Sequence, residues 1–311
     1  GGGFQRSRLR ATYYINHHMA GQMDELCLFL EELRQLGEKE SDEHFVIGRS
    51  VKMGADGVFG NHTGYLLEPY SDKPGFRGHP SWKPEEFNAV VEMAHGLGMQ
   101  VTTHACGDAA IRAAIDGYER VADPEKKFPI QFRIDHCVIP TPEDQERMAR
   151  LGISAAMQPA HFWYNEAGEK ALGPERMQRL MPHRSMAERG VHISFGSDWC
   201  AGPINPAYGL LLAASRINFR MKAEWGPDEK ISVEDGIKHW TAHSAEDIQR
   251  EKDLGSIEVG KLADFVVFNT DPLKISSWWF MLTHKLALGE LDDLVDMTFV
   301  GGEPVYEKAA K

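Results

Sequence analysis

The chain has 311 residues, with 34 Lys+Arg against 46 Asp+Glu, giving a formal net charge of −12 with histidines neutral. A chain of about 300 residues buries roughly 75% of its unfolded surface, and 42% hydrophobic with 26% charged residues suits a globular enzyme, not a disordered or fibrous chain. No apolar run approaches the roughly 20 residues of a membrane span, and an acidic chain without a Lys/Arg cluster lacks the basic face that nucleic acid requires.

Six strands are predicted in chain order: Arg10–Ile15, His44–Met53, Met99–Thr103, Phe132–Asp135, Ile153–Met157 and Val191–Phe195. A helical stretch follows each. After the second strand comes a Gly/Pro-rich loop, Asp56–Pro80, and then a helix over Pro84–Leu97 with Glu85 and Glu86 in its first turn. Further helices are predicted at Asp108–Val121, at Pro142–Leu151 behind the N-cap Thr141, at Pro174–Arg189 before Gly190, and from Ser232 to about Gln249. The character then changes. Gly255–Ile257 and Ala263–Phe268 read as strand and turn, and Met297–Val300 with Pro304–Tyr306 brackets a Gly301-Gly302 hairpin. The alternation predicts an α/β fold with parallel strands and helical crossovers, followed by a small β module; the expected division is 1–250 and 251–311.

Four cysteines, Cys27, Cys106, Cys137 and Cys200, form no CxxC pair, so a reducing, cytoplasmic compartment is expected. The 14 histidines say more, because several close strand-like runs. His104 follows Met99–Thr103, His136 follows Phe132–Asp135, Asp198 follows Ile193–Ser197, and Lys52 lies within Ser50–Met53. Taken singly, a strand-end histidine is more often a hydrogen-bonded loop residue, a Gly-Ser-Asp aspartate a turn, and a strand lysine a chain that snorkels to solvent. Recurrence of one placement on successive βα units selects them together. Active sites of parallel barrels are built at that edge, and two imidazoles with a carboxylate suit a divalent metal such as zinc.

The motifs Lys52-Met53-Gly54-Ala55-Asp56-Gly57, Leu67-Glu68-Pro69-Tyr70, His104-Ala105-Cys106-Gly107-Asp108, Arg133-Ile134-Asp135-His136, Gln158-Pro159, Phe195-Gly196-Ser197-Asp198 and Gly260-Lys261-Leu262-Ala263-Asp264 run in order through nearly the whole chain. As a set they resemble the amidohydrolase superfamily, in the family 3 branch that includes N-substituted formamide deformylases. The resemblance implies a TIM (β/α)₈-type barrel with one or two divalent metals and a flanking β-sandwich. It also implies that Lys52, as a carbamate, bridges the metals, that His104 and His136 bind one of them, and that Asp198 touches the other and shuttles protons. A bare ammonium would repel a metal, whereas a carbamate is an anionic oxygen donor.

The family's His-x-His on strand one has no counterpart here. Asn16-His17-His18 departs from it decisively, because adjacent strand residues point to opposite faces. By motif order, Arg10–Ile15 corresponds to strand three. The expectation is therefore a barrel lacking strands one and two, joined to the C-terminal portion of the sandwich over 251–311. Lys52, His104 and His136 would then hold one metal, with Asp198 deprived of its partners.

The reaction implied is metal-dependent hydrolysis of a non-peptide C–N bond in a small amide or formamide, with Asp198 as proton carrier; the alternative is an inactive or partner-dependent C-terminal fragment. A self-sufficient enzyme is expected as a defined homo-oligomer. Asn61 and His62 on the long loop, and His161 and Trp163 after Gln158-Pro159, are the expected substrate contacts. Packing is favoured over sulfur ligation for Cys106, Cys137 and Cys200, most of all for Cys137, which strand geometry turns away from His136.

Overall fold

A computed structural model describes residues 7–123, 125–126, 129–164, 166–218, 223–275 and 294–309, excepting the side chains of 162–164 and 166. The chain divides into two compact units. The first holds Arg8–Met157 and Tyr164–Ile193, and the second holds Gln158–Trp163 and Ser194–Lys311 together with the described part of Gly1–Ser7.

In chain order the first unit runs β1 (Leu9–Arg10), β2 (Tyr13–Tyr14), α1 (Met23–Glu40), β3 (Phe45–Val46), β4 (Ser50–Gly54), α2 (Pro84–Gly96), β5 (Gln100–Ala105), α3 (Asp108–Glu119), β6 (Phe132–His136), α4 (Pro142–Leu151), β7 (Ser154–Met157), α5 (Glu166–Met177) and α6 (His183–Glu188). Neighbouring strands follow the order β2-β4-β5-β6-β7, and the pairings β2 with β4, β4 with β5, β5 with β6 and β6 with β7 are all parallel. Parallel strands covered by helices read as continuous apolar runs. Accordingly Val51, Met53, Val101, Ile134 and Ala155 are all fully buried.

Local chemistry sets the helix ends. Pro84 and Pro142 open α2 and α4, where a missing N–H costs nothing. The Thr141 side chain accepts from the Asp144 N–H at 3.2 Å, and Gly152 closes α4 in the left-handed region.

Two predicted strands are each divided. Arg10–Ile15 becomes β1 and β2, and His44–Met53 becomes β3 and β4, with β1 pairing β3 and β2 pairing β4. The break lies at Gly48, which has φ +71° and whose missing Cβ would lie 2.2 Å from the Leu33 carbonyl oxygen. The helix predicted over Pro174–Arg189 is likewise two elements. Gly173 (φ 77°) and Pro174 bend α5, and Pro182, lacking an N–H, stands before α6.

The second unit contains β8 (Ile193–Phe195) from Ser194 onward, α7 (Pro206–Ser215), β9 (Ile217–Asn218), β10 (Ala223–Glu224), α8 (Val233–Trp240), α9 (Ala242–Asp247), β11 (Phe265–Phe268), β12 (Val295–Val300) and β13 (Glu303–Glu307). Ala207, Tyr208, Leu210, Leu211, Val233 and Ile275 are among the residues that form its core. The helix predicted from Ser232 breaks at Thr241 (φ −120°, ψ −88°). The last three strands form an antiparallel sheet in the order β11-β12-β13, with a two-residue turn at Gly301-Gly302. Among the described residues, no helix is long and apolar enough to cross a membrane.

Candidate metal centre

The exceptions to burial are polar. Within β4, β5 and β6 the partly exposed residues are Lys52, His104, Arg133 and His136. Register explains the grouping. Lys52 pairs with Thr102, which pairs with Arg133, and His104 pairs with Asp135. Cross-strand partners and residues two apart share a face, so Lys52, His104, Arg133 and Asp135 project together, while Val51, Met53, Val101 and Ile134 project to the other side.

His136 needs a further device. It follows Asp135 directly and would turn to the opposite face if the strand continued. The backbone instead enters the left-handed region at His136 (φ 72°) and Cys137 (φ 45°), and the His136 ring meets that of His104 edge-on, with centroids 4.4 Å apart. Such a conformation is uncommon for residues with a Cβ and clusters at functional sites. Cys137 is carried the other way, as expected. It is fully buried with Sγ 4.0 Å from the Met148 Sδ, and burial pushes its thiol up.

Asp135 organises the cations. It forms an ion pair with the Lys52 ammonium, and the Arg133 Nε donates to its other oxygen at 2.7 Å. Burial alone would raise the Asp135 carboxyl; the charges of Arg133 and Lys52 outweigh it and hold the group at about 2. Asp135 has no predicted role in the sequence. The available signal was the Arg-x-Asp spacing, which puts both side chains on one face of β6.

Asp56, also missed, anchors the loops. Its side chain is 0% exposed. Oδ1 accepts from the Cys106 N–H at 3.0 Å, and Oδ2 accepts from the Tyr65 and Gly107 N–H groups at 2.9 and 2.8 Å. Burial pushes its carboxyl up to about 7 against these three donors, with the charge of Asp108 adding to the rise. Asp108 in turn accepts from the Leu67 N–H at 2.8 Å, and Gly107 admits the loop because a Cβ there would lie 1.9 Å from the Tyr65 carbonyl oxygen. The segment after Lys52 is thereby tied to the start of α3.

These anchors also fix the ring of His104. Its Nε2 lies 3.1 Å from the Gly57 carbonyl oxygen, 3.6 Å from the Cys106 Sγ and 3.6 Å from the Asp56 Oδ1. Holding one ring nitrogen on a carbonyl is how metal-binding histidines are oriented.

The remaining expected residues are placed as follows. His62 Nε2 lies 2.8 Å from Asp72 Oδ1 with its ring against Tyr70, and Asn61 Oδ1 accepts from the Thr63 hydroxyl at 2.7 Å, so both are engaged within their own loop. In the second unit, His161 Nε2 lies 3.4 Å from Asp198 Oδ2, and Asp198 has φ 52°. The side chain of Trp163 lies outside the described residues. His17 and His18 are exposed in a 3₁₀ turn capped by Asn16, not on a strand.

Residues 9–306 match the model of the amidohydrolase family. The chain belongs to the amidohydrolase family. The chain is 31% identical over 258 residues to Protein LONG AFTER FAR-RED 3 of Arabidopsis thaliana, an alignment covering 82% of the chain and 42% of that protein. It is 30% identical over 230 residues to the N-substituted formamide deformylase of Arthrobacter pascens, covering 73% and 40%. The chain therefore spans less than half the length of these two relatives. Among solved structures, an uncharacterized metal-dependent hydrolase from Pyrococcus furiosus superposes with a TM-score of 0.69 at 26% identity, covering 86% of this chain and 52% of that one.

Proposed function

We propose that this amidohydrolase takes part in metal-dependent hydrolysis of a non-peptide C–N bond in a small amide or formamide. The observation that carries the reading is the grouping of Lys52, His104 and His136 as partly exposed positions on otherwise buried strands. In this reading residues 1–250 belong to a (β/α)₈-type barrel and 251–311 to a flanking β-sandwich, and the four cysteines, none paired with another, suit a reducing cytoplasm.

The side chains fit a divalent ion. His104 and His136 bring two imidazoles edge-on at 4.4 Å, and His104 is oriented by the Gly57 carbonyl. Lys52 fits as a carbamate and not as the ammonium that Asp135 neutralises. Asp135 would keep Arg133 as its counter-ion if Lys52 were carboxylated, and the carbamate's own charge would be met by the divalent ion. Zinc suits this donor set, and a bound ion lowers the pKa of water towards about 7 and polarises the substrate carbonyl.

The chain's own residues supply the proton traffic. Asp198 is proposed to take a proton from the attacking water on a carboxylate oxygen and to deliver it to the departing amine. His161, beside its Oδ2, steadies that carboxylate. Asn61 and His62, held on their loop by Thr63 and Asp72, and Trp163 are proposed on the substrate side.

The test is amine release from N-formyl and N-acyl amines by the metal-loaded chain, measured with metal content. Release by the wild-type chain, its loss in His136→Ala together with bound metal, and its loss in Asp198→Asn with metal retained are the expected results. Undiminished release by both variants overturns the assignment.

A further inference from the structure

The Nε2 side of His104 carries a donor set that the catalytic reading leaves unused. Asp56 Oδ1, His104 Nε2 and Cys106 Sγ all lie within 4.8 Å of one another inside the first unit. Two separations reach 3.6 Å, from Nε2 to the thiol and to the carboxylate, and the Gly57 carbonyl oxygen stands 3.1 Å from the same nitrogen. Tetrahedral zinc, with bonds of about 2.0 Å to nitrogen or oxygen and 2.3 Å to sulfur, separates its ligand atoms by about 3.3–3.5 Å. The two 3.6 Å separations are close to those of one coordination shell. A gap of 3.6 Å between nitrogen and carboxylate is, by contrast, too long for a hydrogen bond.

Asp56 has a lone pair to offer. A carboxylate offers about four acceptor positions, and the three N–H donors of Cys106, Tyr65 and Gly107 occupy three of those on Asp56. Oδ1, which takes one of these donors, retains its second lone pair on the side of His104. Cys106 is 5% exposed, so its sulfur faces these neighbours and not solvent.

We propose that Asp56, His104 Nε2 and Cys106, with the Gly57 carbonyl, form a site for a thiophilic divalent cation of the zinc and cadmium class. Binding releases the thiol proton of Cys106 to solvent and moves the His104 ring proton from Nε2 to Nδ1. A neutral imidazole cannot then serve a second ion through Nδ1. Filling this site therefore withdraws His104 from the catalytic set, a form of inhibition by excess soft metal; that consequence rests on the catalytic reading above, whereas the site itself rests on the geometry of the first unit alone.

Cadmium is the probe, because sulfur bound to it produces an ultraviolet charge-transfer band, a readout independent of turnover. Titrating the metal-free full chain is expected to produce the band in wild type, in Cys200→Ser, which removes the exposed thiol, and in His136→Ala, which disables the catalytic set. Cys106→Ser is expected to abolish it, with Cys106→Ala as the substitute should the serine chain fail to fold. No band in wild type, a band that survives the loss of Cys106, or a band lost in Cys200→Ser or His136→Ala overturns the site. Catalytic failure is separable, since it appears as unchanged amine release in His136→Ala whatever the cadmium band does.

Discussion

The parallel strands of the first unit and the antiparallel sheet of the second treat burial in opposite ways. In β4, β5 and β6 nearly everything is buried, and the partly exposed residues are Lys52, His104, Arg133 and His136, all polar. In β11–β13 no residue is fully buried, and Val266, Val267, Phe268 and Tyr306 are 39–47% exposed. Openness in the first sheet falls on charged and imidazole side chains, three of which are the proposed metal ligands. In the second it accompanies ordinary β-branched and aromatic side chains, and since Val266, Val267 and Phe268 are consecutive, it extends to both faces of the strand. Partial exposure therefore informs on function only against a background that is otherwise closed.

The largest expected effect lies outside both sheets, at the proposed proton carrier. Asp198→Asn is expected to lower amine release by about 10²–10⁴-fold, the range for a proton-transfer group, with the circular dichroism spectrum and metal content unchanged. Loss of metal from that variant would move Asp198 from proton carrier to ligand.

Next comes Asp135→Asn, which leaves Lys52 and Arg133 facing one another without a countercharge. Breaking a buried pair costs about 3–5 kcal/mol, and since Lys52 and Arg133 are 22% and 19% exposed the low end is expected. Urea unfolding measures it. A cost below about 1 kcal/mol would mean that solvent screens the cluster as it does a surface pair.

The antiparallel sheet should yield less. Phe265 and Phe299 stack across β11 and β12 with centroids 4.4 Å apart, and Phe299→Ala is expected to cost about 1–2 kcal/mol, an aromatic-pair contribution plus partial burial. Unfolding monitored by denaturant separates this from the first-unit variants.

The smallest effect belongs to the bridge between α3 and α4, where Arg147 reaches Asp116 at 2.7 Å and Glu119 at 2.6 Å. Hydrogen bonds from Arg150 and Arg147 hold the Glu119 carboxyl below its ordinary value. A depressed carboxyl stabilises the fold above its unfolded pKa of about 4.3 and loses that contribution as pH falls through the folded value. Arg147→Ala is thus expected to cost under about 1 kcal/mol near neutral pH and less in acid, read from melting temperatures across pH.

Much of the frame was legible in the sequence because period and caps are local. Pro142–Leu151 is observed as predicted, and β5, β6 and β7 lie within two residues of their expected ends. The breaks at Gly48, Gly173 and Thr241 were not legible, since each depends on what the backbone meets: for Gly48, the Leu33 carbonyl. The site divides the same way. His104, His136 and Asp198 announce themselves as polar residues at or just after strand ends, and Lys52 as a charge within an apolar strand. Asp56 and Asp135 do not, because an aspartate's role in a buried site is decided by the donors and cations folded around it.

The left-handed backbone at His136 and Cys137 bears on how this position can be engineered. A replacement there is selected twice, once for its donor atoms and once for its tolerance of positive φ, which asparagine and glycine accept readily and β-branched residues resist. In a saturation library at residue 136, therefore, valine and isoleucine would fall out through misfolding, whereas asparagine, accepting the twist without the imidazole, would isolate the loss of the nitrogen donor.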